Sequence, residues 1–339
     1  MTSRPAALLA MCPALPGHLF DEAAQRRLHA LADVDPDLVV DDFRTPRARA
    51  ALARAEVLIS GWDCPPLDAG VLAAAPRLRA VVHAAGSVKH HMTHAAWDRG
   101  LSVTSAAEAN AVPVAEYTLA MIILANKRVL PMQDRYRDTQ TEHSWQDWAA
   151  LHPGMGNYRK TVGVVGYSRI GRRVVELLRP LDLTVLVHDP YLPEAEAAAA
   201  GVTRAGLDEL LAAADVVTLH APSVPRTRHL LNRRRLALMA DGATLVNTAR
   251  GSLVDQEALL DEVRAGRLNA VIDVTEPEVP SAGSDLYGLR NVVLTPHIAG
   301  SHGGELRRIG DYALDELERY VQGLPFLSPV AAGELARIA

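Results

Sequence analysis

The amino-acid sequence predicts an α/β protein with two domains, each built around a parallel sheet. The chain has 339 residues, which exceeds the roughly 250 residues at which a single hydrophobic core stops growing. Short apolar runs alternate with longer amphipathic stretches, as strands and helices do around a parallel sheet. This alternation restarts at Thr161 after a polar interval. Two separate cores of the same class are therefore expected.

The first domain is predicted to begin with a strand rather than with a secretion signal. The apolar run from Ala6 follows Arg4, as in a short signal peptide, but Pro13 and Pro16 interrupt it. Further apolar runs of strand length follow, and amphipathic stretches of helix length separate them. The predicted strands are Ala6–Met11, Leu38–Val40, Val57–Ser60, Leu78–Ala84 and Leu101–Thr104, and the predicted helices include Phe20–Ala32 and Arg47–Ala55.

The second domain is reached through residues 110–130, which predict a buried helix that starts at Pro113. Residues 131–158 are polar and aromatic without clear periodicity, so we expect a subunit-contact arm or a lid there rather than sheet. Residues 304–322 have apolar side chains at helical spacing before Gly323, which predicts a final helix. The predicted strands are Val162–Val165, Leu183–His188, Val216–His220, Thr244–Asn247, Ala270–Asp273 and Val292–Leu294.

Composition argues against several classes of protein. The 35 Lys and Arg residues are spread along the chain and are outnumbered by 40 Asp and Glu, which gives a net charge of -5 and argues against nucleic-acid binding. No apolar run approaches the roughly 20 residues of a membrane span, so no membrane partner is expected. The two cysteines, Cys12 and Cys64, fit a reducing cytoplasm better than secretion.

The segment TVGVVGYSRIG has the pattern of a turn that binds a dinucleotide. Gly166 allows a sharp turn after an apolar strand, and Gly171 allows the following helix to pack close to the sheet. The first amides of that helix are available to a diphosphate, and Ser168 supplies a hydroxyl where a middle glycine is usual. Asp189 ends the next strand about 20 residues further on, where a carboxylate accepts from ribose hydroxyls and favours NAD over NADP.

Three later strands are each followed by a polar side chain, namely Arg250, Glu278 and His297. All three are expected at the carboxyl edge of the sheet, where open α/β sheets bind ligands. An arginine offers a fork for a carboxylate, and a histidine exchanges a proton near neutral pH. A glutamate beside the histidine stabilises its protonated form. Together the three side chains suit hydride chemistry on a 2-oxo acid.

These motifs resemble those of the D-isomer-specific 2-hydroxyacid dehydrogenases over essentially the whole chain. The resemblance lies in GYSRIG with Asp189, HAPSVPRTRHLL, LVNTARGSLVD, DVTEPEVP, TPHIAGS and the earlier stretch HAAGSVKHHMTHAAWDRGLSVTSAAEANAVPVAEYTLA. It implies that Arg250 binds the substrate carboxylate and carbonyl, and that Glu278 supports His297 as the catalytic acid and base. Glu276, two residues away, is the alternative supporter of the histidine.

The resemblance also implies the architecture and the partners. A Rossmann-type cofactor domain, residues 108–299, is inserted into a flavodoxin-like substrate domain, residues 1–107 and 300–339, both with doubly wound parallel sheets. Catalysis is then expected in the cleft between the domains. The implied cofactor is NAD, the substrate is a small 2-oxo or 2-hydroxy acid, and the assembly is a homodimer.

Site residues are implied for both ligands. Asp273 orients the nicotinamide carboxamide, while Thr248 and Ala249 line the nicotinamide. Backbone amides near Gly86, Ser87 and Val88 hold the substrate carboxylate together with Arg250, although the family commonly has Asp or Asn after that glycine. The full implied cofactor set is Gly166, Ser168, Arg169, Ile170, Gly171, Asp189, His220, Pro222, Thr227, Thr248, Ala249, Arg250, Asp273 and His297.

Alternative functions are a phosphite or other small-anion dehydrogenase on the same scaffold and a non-catalytic NAD-sensing protein. Formate enzymes of this scaffold carry Gln at the position of Glu278, which argues against formate. His90, His91 and His94 have the helical spacing of metal ligands, but no Asp, Glu or Cys accompanies them, so no metal is expected. The bulky residues Trp62 and Cys12 either limit substrate size or pack in the core.

Overall fold

The computed structural model describes residues 4–141, 144–151 and 154–335. Within these ranges the chain forms two compact units. The first unit contains the residues up to Ala111 and those from Ser301 onward, and the second contains Val112–Gly300.

Strands and helices alternate along both units. The strands are β1 Ala6–Ala10, β2 Asp33–Val40, β3 Val57–Ser60, β4 Ala80–His83, β5 Ser102–Ser105, β6 Lys160–Val165, β7 Leu183–His188, β8 Thr203–Arg204, β9 Val216–Leu219, β10 Thr244–Asn247, β11 Asn269–Ile272 and β12 Val292–Leu294. The helices are α1 Leu15–Leu19, α2 Glu22–Leu31, α3 Pro46–Leu52, α4 Ala69–Ala74, α5 His94–Asp98, α6 Ala107–Asn126, α7 Val129–Thr139, α8 Trp145–Leu151, α9 Arg169–Leu178, α10 Glu194–Ala200, α11 Leu207–Ala213, α12 Arg233–Leu236, α13 Gln256–Arg264 and α14 Leu306–Val321.

The first unit has a parallel sheet of five strands in the order β2-β1-β3-β4-β5. This is the order of a flavodoxin-like, doubly wound sheet. The central strands β3 and β4 are buried along their whole length, as strands covered on both faces must be. Helix α14 returns from the end of the chain to this unit, where Ile309 and Leu317 join the core of the sheet.

The second unit has a parallel sheet of seven strands in the order β12-β11-β10-β9-β6-β7-β8. The order reverses between β6 and β9, which are the two neighbouring strands at the topological switch point of a Rossmann-type sheet. Dinucleotides bind outside the carboxyl ends of the strands at such a point. Both sheets are parallel throughout, which confirms the predicted α/β class with two doubly wound sheets.

Helix α6 begins earlier than predicted, so that Pro113 lies inside it and not at its start. The ring removes one backbone hydrogen bond to the carbonyl of Ala109. Buried apolar side chains on either side of the proline, including Ala111 and Val114, compensate for this loss by packing. The helix therefore continues through the proline.

Helix α6 also corrects the expectation that no apolar stretch approaches the length of a membrane span. It has 20 residues and is apolar enough to cross a membrane by length and composition alone, and among the described residues it is the one helix that meets this test. Its residues Ala115 and Ile122 are fully buried against Val246 and Val271 of the second sheet. Of the apolar window of this helix, 39% is buried, so part of its apolar surface packs in a protein core.

Residues 131–158 contain no strand within the described ranges, but they do contain helical residues that the sequence did not indicate. Helix α7 covers residues 129–139 and has no buried residue, so it shows no apolar period that a sequence pattern could detect. Helix α8 follows and carries Trp145, whose side chain is 73% exposed. The structure of residues 142, 143, 152 and 153, and the side chain of Trp148, lie outside what is described.

Two of the strands at sheet edges, β2 and β8, differ clearly from the predictions. Strand β2 is longer than the predicted Leu38–Val40, because its first half contains the exposed polar residues Asp33 and Asp35 together with Pro36. Such residues are tolerated at an edge, where one side of the strand needs no partner. The two-residue strand β8 is exposed and was not predicted.

Three histidines are buried without charge partners and should make the fold sensitive to acid. Burial lowers the pKa of His220 to about 3 and that of His91 to about 3, and it holds the pKa of His83 well below its usual value. An unfolded chain takes up these protons near pH 6.5, whereas the folded chain does not. The unfolded state therefore binds more protons between about pH 6.5 and 3, and stability falls as pH decreases through this window.

We expect His220 and His91 each to lower the free energy of unfolding by about 2 kcal/mol between pH 7 and pH 5. His220→Gln retains a polar group beside Thr218 but cannot be protonated, so this variant should lose part of the pH dependence. Urea unfolding of the wild type and the variant at both pH values measures the difference. Equal pH dependence in the two proteins would show that His220 is not titrated on unfolding.

Candidate active site

The turn after β6 has a geometry that only glycine can adopt. Gly166 has φ +99°, and a Cβ built on it would lie 2.6 Å from the backbone nitrogen of Ala221. A Cβ on Gly171 would lie 2.0 Å from the carbonyl oxygen of Gly166. The start of α9 therefore packs directly against the turn at the switch point of the sheet.

Helix α9 begins at this turn with Ser168 as its N-terminal cap. The Ser168 hydroxyl oxygen accepts a hydrogen bond from the amide of Gly171 at 3.4 Å. Arg169 and Ile170 form the first turn of the helix and are partly exposed. Helix N-termini bind anions through such amides, and the glycines leave room for a diphosphate. The residues present fit a dinucleotide.

Asp189 follows β7 and is fastened to the same turn. One carboxylate oxygen accepts from the amide of Tyr167 at 2.7 Å, and the other accepts from the amide of Tyr191 at 2.8 Å. The negative charge is thus held beside the glycine turn. A carboxylate in this position accepts hydrogen bonds from a ribose and repels a 2'-phosphate.

Asp189→Asn should shift the cofactor preference towards the phosphorylated dinucleotide. Asparagine retains an oxygen that accepts from Tyr167 but removes the charge that repels a phosphate. We expect the ratio of the dissociation constants of NADPH and NADH to fall about 10-fold or more. Fluorescence titration with both cofactors measures this ratio. Asp182→Asn, on an exposed aspartate, is the control, and an unchanged ratio in Asp189→Asn would contradict the assignment.

The loop after β9 contains three of the implied cofactor residues. The His220 side chain is 1% exposed, and its Nε2 lies 2.9 Å from the hydroxyl of Thr218, so only its backbone is available to a ligand. Thr227 donates to the carbonyl of Pro222 at 2.6 Å and accepts from the amide of Val224 at 3.0 Å. The threonine therefore closes this loop on itself.

Arg250 follows β10 and has an unusual environment for an arginine. Thr248 and Ala249, which precede it, are buried. The guanidinium donates to the carbonyl of Ala249 at 2.6 Å, and no described carboxylate forms an ion pair with it. Burial lowers the pKa of Arg250, while the charge of Glu278 acts in the opposite direction. A partly desolvated cation without an acidic partner is suited to binding an anion.

His297 and Glu278 form a close pair. The Nδ1 atom of His297 lies 2.5 Å from Oε1 of Glu278, and both side chains are about half exposed. Because an ionised carboxylate only accepts hydrogen bonds, Nδ1 carries a proton and Nε2 is the atom that can exchange one with a ligand. Glu276 instead forms an ion pair with Arg228 at 2.9 Å. Of the two acidic residues, only Glu278 contacts the imidazole.

Asp273 holds the loop that carries His297. Its carboxylate accepts from the amides of Ile298 at 2.8 Å and Ala299 at 2.9 Å, and from the hydroxyl of Thr295 at 2.6 Å. Its backbone carbonyl accepts from the amide of His297 at 2.9 Å. Since Asp273 is 1% exposed, this side chain acts on the loop in the structure, whereas the resemblance implied a contact with the nicotinamide.

The implied substrate residues Gly86, Ser87 and Val88 lie in the first unit, in the loop after β4. Val88 is buried, and Gly86 and Ser87 are partly exposed. Two residues after β3, Trp62 is exposed, and its carbonyl accepts from the amide of Cys12 at 2.8 Å. Both bulky residues therefore lie at the carboxyl edge of the first sheet.

The histidines of the first unit do not form the cluster that their spacing suggested. His91 is buried, and its Nε2 lies 3.3 Å from the hydroxyl of Ser60, which also lies 2.9 Å from Nδ1 of His83. His94 is exposed at the start of α5, whereas His83 and His91 are buried. Within the described ranges, no group of three or more His, Cys, Asp or Glu side chains is arranged to hold a metal ion.

Comparison with known proteins identifies relatives of both units. Residues 119–299 match the model of the D-isomer specific 2-hydroxyacid dehydrogenase, NAD binding domain. The D-3-phosphoglycerate dehydrogenase of Mycobacterium bovis is 36% identical over 282 residues, which are 83% of this chain and 52% of the relative. That of Archaeoglobus fulgidus is 34% identical over 78% of this chain and 49% of the relative. The chain thus spans about half the length of the curated relatives it matches.

Solved structures match over nearly the whole chain. A protein from Thermus thermophilus is 32% identical with a TM-score of 0.74, covering 96% of this chain and 99% of its own. The D-lactate dehydrogenase of Aquifex aeolicus, solved with NAD and lactic acid, is 27% identical with a TM-score of 0.71, covering 94% of this chain and 96% of its own.

Proposed function

Because the chain belongs to the D-isomer specific 2-hydroxyacid dehydrogenase family, with an NAD-binding domain in residues 119–299, we propose that it is an NAD-dependent oxidoreductase acting on a 2-hydroxy acid or the corresponding 2-oxo acid. The observation that carries the proposal is the contact of 2.5 Å between His297 and Glu278, together with the buried guanidinium of Arg250, on which the charge of Glu278 acts and which forms no ion pair with a described carboxylate. A proton donor and an anion receptor are the two groups that reduction of a 2-oxo acid requires.

His297 supplies and removes the proton in this proposal. Bound nicotinamide supplies or accepts the hydride at C2 of the acid. Nε2 of His297 donates its proton to the carbonyl oxygen during reduction and takes it back from the hydroxyl during oxidation. Glu278 accepts from Nδ1 throughout, so it fixes the orientation and the tautomer of the ring.

Arg250 binds and orients the acid. Its two terminal nitrogens donate to the carboxylate, and the positive charge stabilises the negative charge that grows on the carbonyl oxygen. No described acidic residue has to be displaced for this to happen. Backbone amides near Gly86 and Ser87 are proposed to add further donors to the carboxylate.

A screen of NADH oxidation tests the function. The acids are glyoxylate, pyruvate, hydroxypyruvate and its phosphate ester, phenylpyruvate, branched 2-oxo acids and phosphono-2-oxo acids, and phosphite plus NAD is tested in the opposite direction. Consumption of NADH with any 2-oxo acid supports the proposal, and the best substrate defines the class. Reduction of NAD by phosphite alone would identify a small-anion dehydrogenase. Tight binding of NADH without turnover of any of these compounds would identify an NAD-sensing protein.

We further propose that the protein works as a homodimer in the cytoplasm, with residues 131–158 as the subunit-contact arm. Two free thiols, Cys12 and Cys64, are compatible with a reducing compartment. Large apolar side chains of helices α7 and α8, and that of Tyr158 two residues before β6, are exposed, which is typical of surfaces that contact another subunit. These side chains are Val129 36%, Tyr136 61%, Trp145 73%, Leu151 40% and Tyr158 68% exposed.

Trp145→Lys should shift the protein from dimer to monomer, because a charge would replace an indole that is 73% exposed in this segment. Sedimentation equilibrium at several protein concentrations measures the shift. Leu327→Lys is the control, since Leu327 is 61% exposed but lies in the first unit, outside the segment. A dimer that persists in Trp145→Lys with unchanged affinity would exclude Trp145 from the subunit contact.

A further inference from the structure

Two consecutive residues of helix α6 hold the loops that carry Arg250 and His297. The hydroxyl of Tyr117 lies 2.9 Å from that of Thr295, two residues before His297. The hydroxyl of Thr118 lies 3.2 Å from that of Thr248, two residues before Arg250. All of these residues lie in the second unit.

The contact made by Tyr117 has a defined direction. Asp273 is an acceptor, so the hydroxyl of Thr295 donates its proton to the Asp273 carboxylate at 2.6 Å. The Tyr117 hydroxyl must then donate to Thr295. A chain of hydrogen bonds therefore runs from α6 through Thr295 to the carboxylate that binds the amides of Ile298 and Ala299. These amides flank His297 on its C-terminal side.

The contact made by Thr118 also has a defined direction. Its hydroxyl donates to the carbonyl of Val114 at 2.7 Å, one turn earlier in α6. Its oxygen is then the acceptor, and Thr248 is the donor. Thr118 is fully buried and Thr248 is 5% exposed, so the Thr248 hydroxyl cannot exchange this partner for water.

Helix α6 can hold both loops in fixed positions because it is itself packed against the sheet. Ile122 and Ala115 of the helix belong to one hydrophobic core with Val246 of β10 and Val271 of β11. Close-packed interiors transmit small displacements with little loss. The helix spans the ends of β10 and β12, from which the two loops emerge.

We propose that Tyr117 and Thr118 are positioning residues, of which Tyr117 fixes the proton-transferring imidazole and Thr118 fixes the carboxylate-binding guanidinium. The proposal rests on the roles of His297 and Arg250 given under the proposed function. It predicts that adjacent residues of one helix affect different kinetic parameters, because each is connected to a different loop.

The test compares Tyr117→Phe with Thr118→Val, each of which removes one hydrogen bond without a large change of shape. Tyr117→Phe should lower kcat about 10-fold while KM for the 2-oxo acid stays near the wild-type value. Thr118→Val should raise KM for the acid and the dissociation constant of oxamate about 10-fold, with a smaller effect on kcat. Thr118→Ser keeps the oxygen and should restore the wild-type values.

Two further measurements do not require turnover. Calorimetric titration of the NADH complex with oxamate reports on the Arg250 loop, and NMR of 13C-labelled histidine reports on the His297 ring, assigned with His297→Asn. Tyr117→Phe should move the His297 resonance and leave oxamate affinity unchanged, whereas Thr118→Val should do the reverse. Tyr320→Phe, in helix α14 of the first unit, should change neither.

The outcomes separate this proposal from the proposed function. Wild-type protein that reduces no 2-oxo acid would overturn the function, and the calorimetric and NMR patterns would still support or overturn the positioning roles. Equal changes in both readouts for the two variants, or no change in either, would overturn the positioning roles even in an active enzyme. A fall in melting temperature alone would assign the two residues to stability.

Discussion

His297→Asn should lower kcat for reduction of the 2-oxo acid by about 100-fold or more, while NADH binds with wild-type affinity. The variant removes the proton donor but keeps the backbone, because asparagine tolerates the left-handed conformation that His297 adopts with φ +56°. Alanine would add a backbone cost at this position and confuse the interpretation. Stopped-flow and steady-state assays measure kcat, and fluorescence titration measures NADH binding.

His18→Asn is the matched control, since His18 is exposed on α1 in the first unit. It should leave kcat unchanged. Glu278→Gln should give an intermediate loss, because the glutamine oxygen still accepts from Nδ1 but a neutral amide holds the ring more weakly than a charge-assisted hydrogen bond does. A His297→Asn enzyme with the wild-type kcat would remove His297 from the mechanism.

Arg250→Ala should lower kcat/KM for the acid by about 100-fold to 10,000-fold, since two hydrogen bonds to a charged group are lost, each worth about 1.5 to 3 kcal/mol. Most of the loss should appear in substrate affinity, because the carboxylate is bound in the ground state as well as in the transition state. Arg250→Lys keeps the positive charge but loses the two-pronged donor, so its kcat/KM should lie between those of the wild type and Arg250→Ala. Kinetics with the best acid of the screen, together with oxamate inhibition, measure both variants.

Arg234→Ala is the control for the loss of a guanidinium, because Arg234 forms an exposed ion pair with Asp208. It should change neither parameter. If Arg250→Ala bound oxamate as tightly as the wild type, the carboxylate would have to be bound elsewhere.

Central strands could be predicted closely from the sequence because their burial leaves an uninterrupted apolar run. The fully buried strands Val57–Ser60 and Thr244–Asn247 have the predicted bounds, and so do the less buried Leu183–His188 and the edge strand Val292–Leu294. The edge strand β2 could not be predicted in full, since its exposed first half contains aspartates that are also typical of loops. Helix α7 could not be predicted because no face of it is buried.

The arrangement at the ends of the strands depends on contacts that no local pattern shows. Arg250, Glu278 and His297 could be identified because each follows a strand within a recognisable motif. Thr295 belongs to the same motif as His297, but its partner Tyr117 is 178 residues away, and Thr118 is 130 residues from Thr248. The hydrogen bonds that Asp273 accepts from the His297 loop could not be predicted, because the burial of its side chain is a property of the folded loop, and its role at the nicotinamide stays a prediction.

The backbone of His297 has a consequence for engineering this protein. A left-handed conformation costs a residue with a Cβ about 1 kcal/mol or more, and the bonds from Asp273 hold it in place. Glycine adopts this conformation without that cost. Selection for heat resistance alone would therefore favour His297→Gly, which removes the proposed proton donor. Libraries built for thermostability should therefore leave codon 297 unchanged.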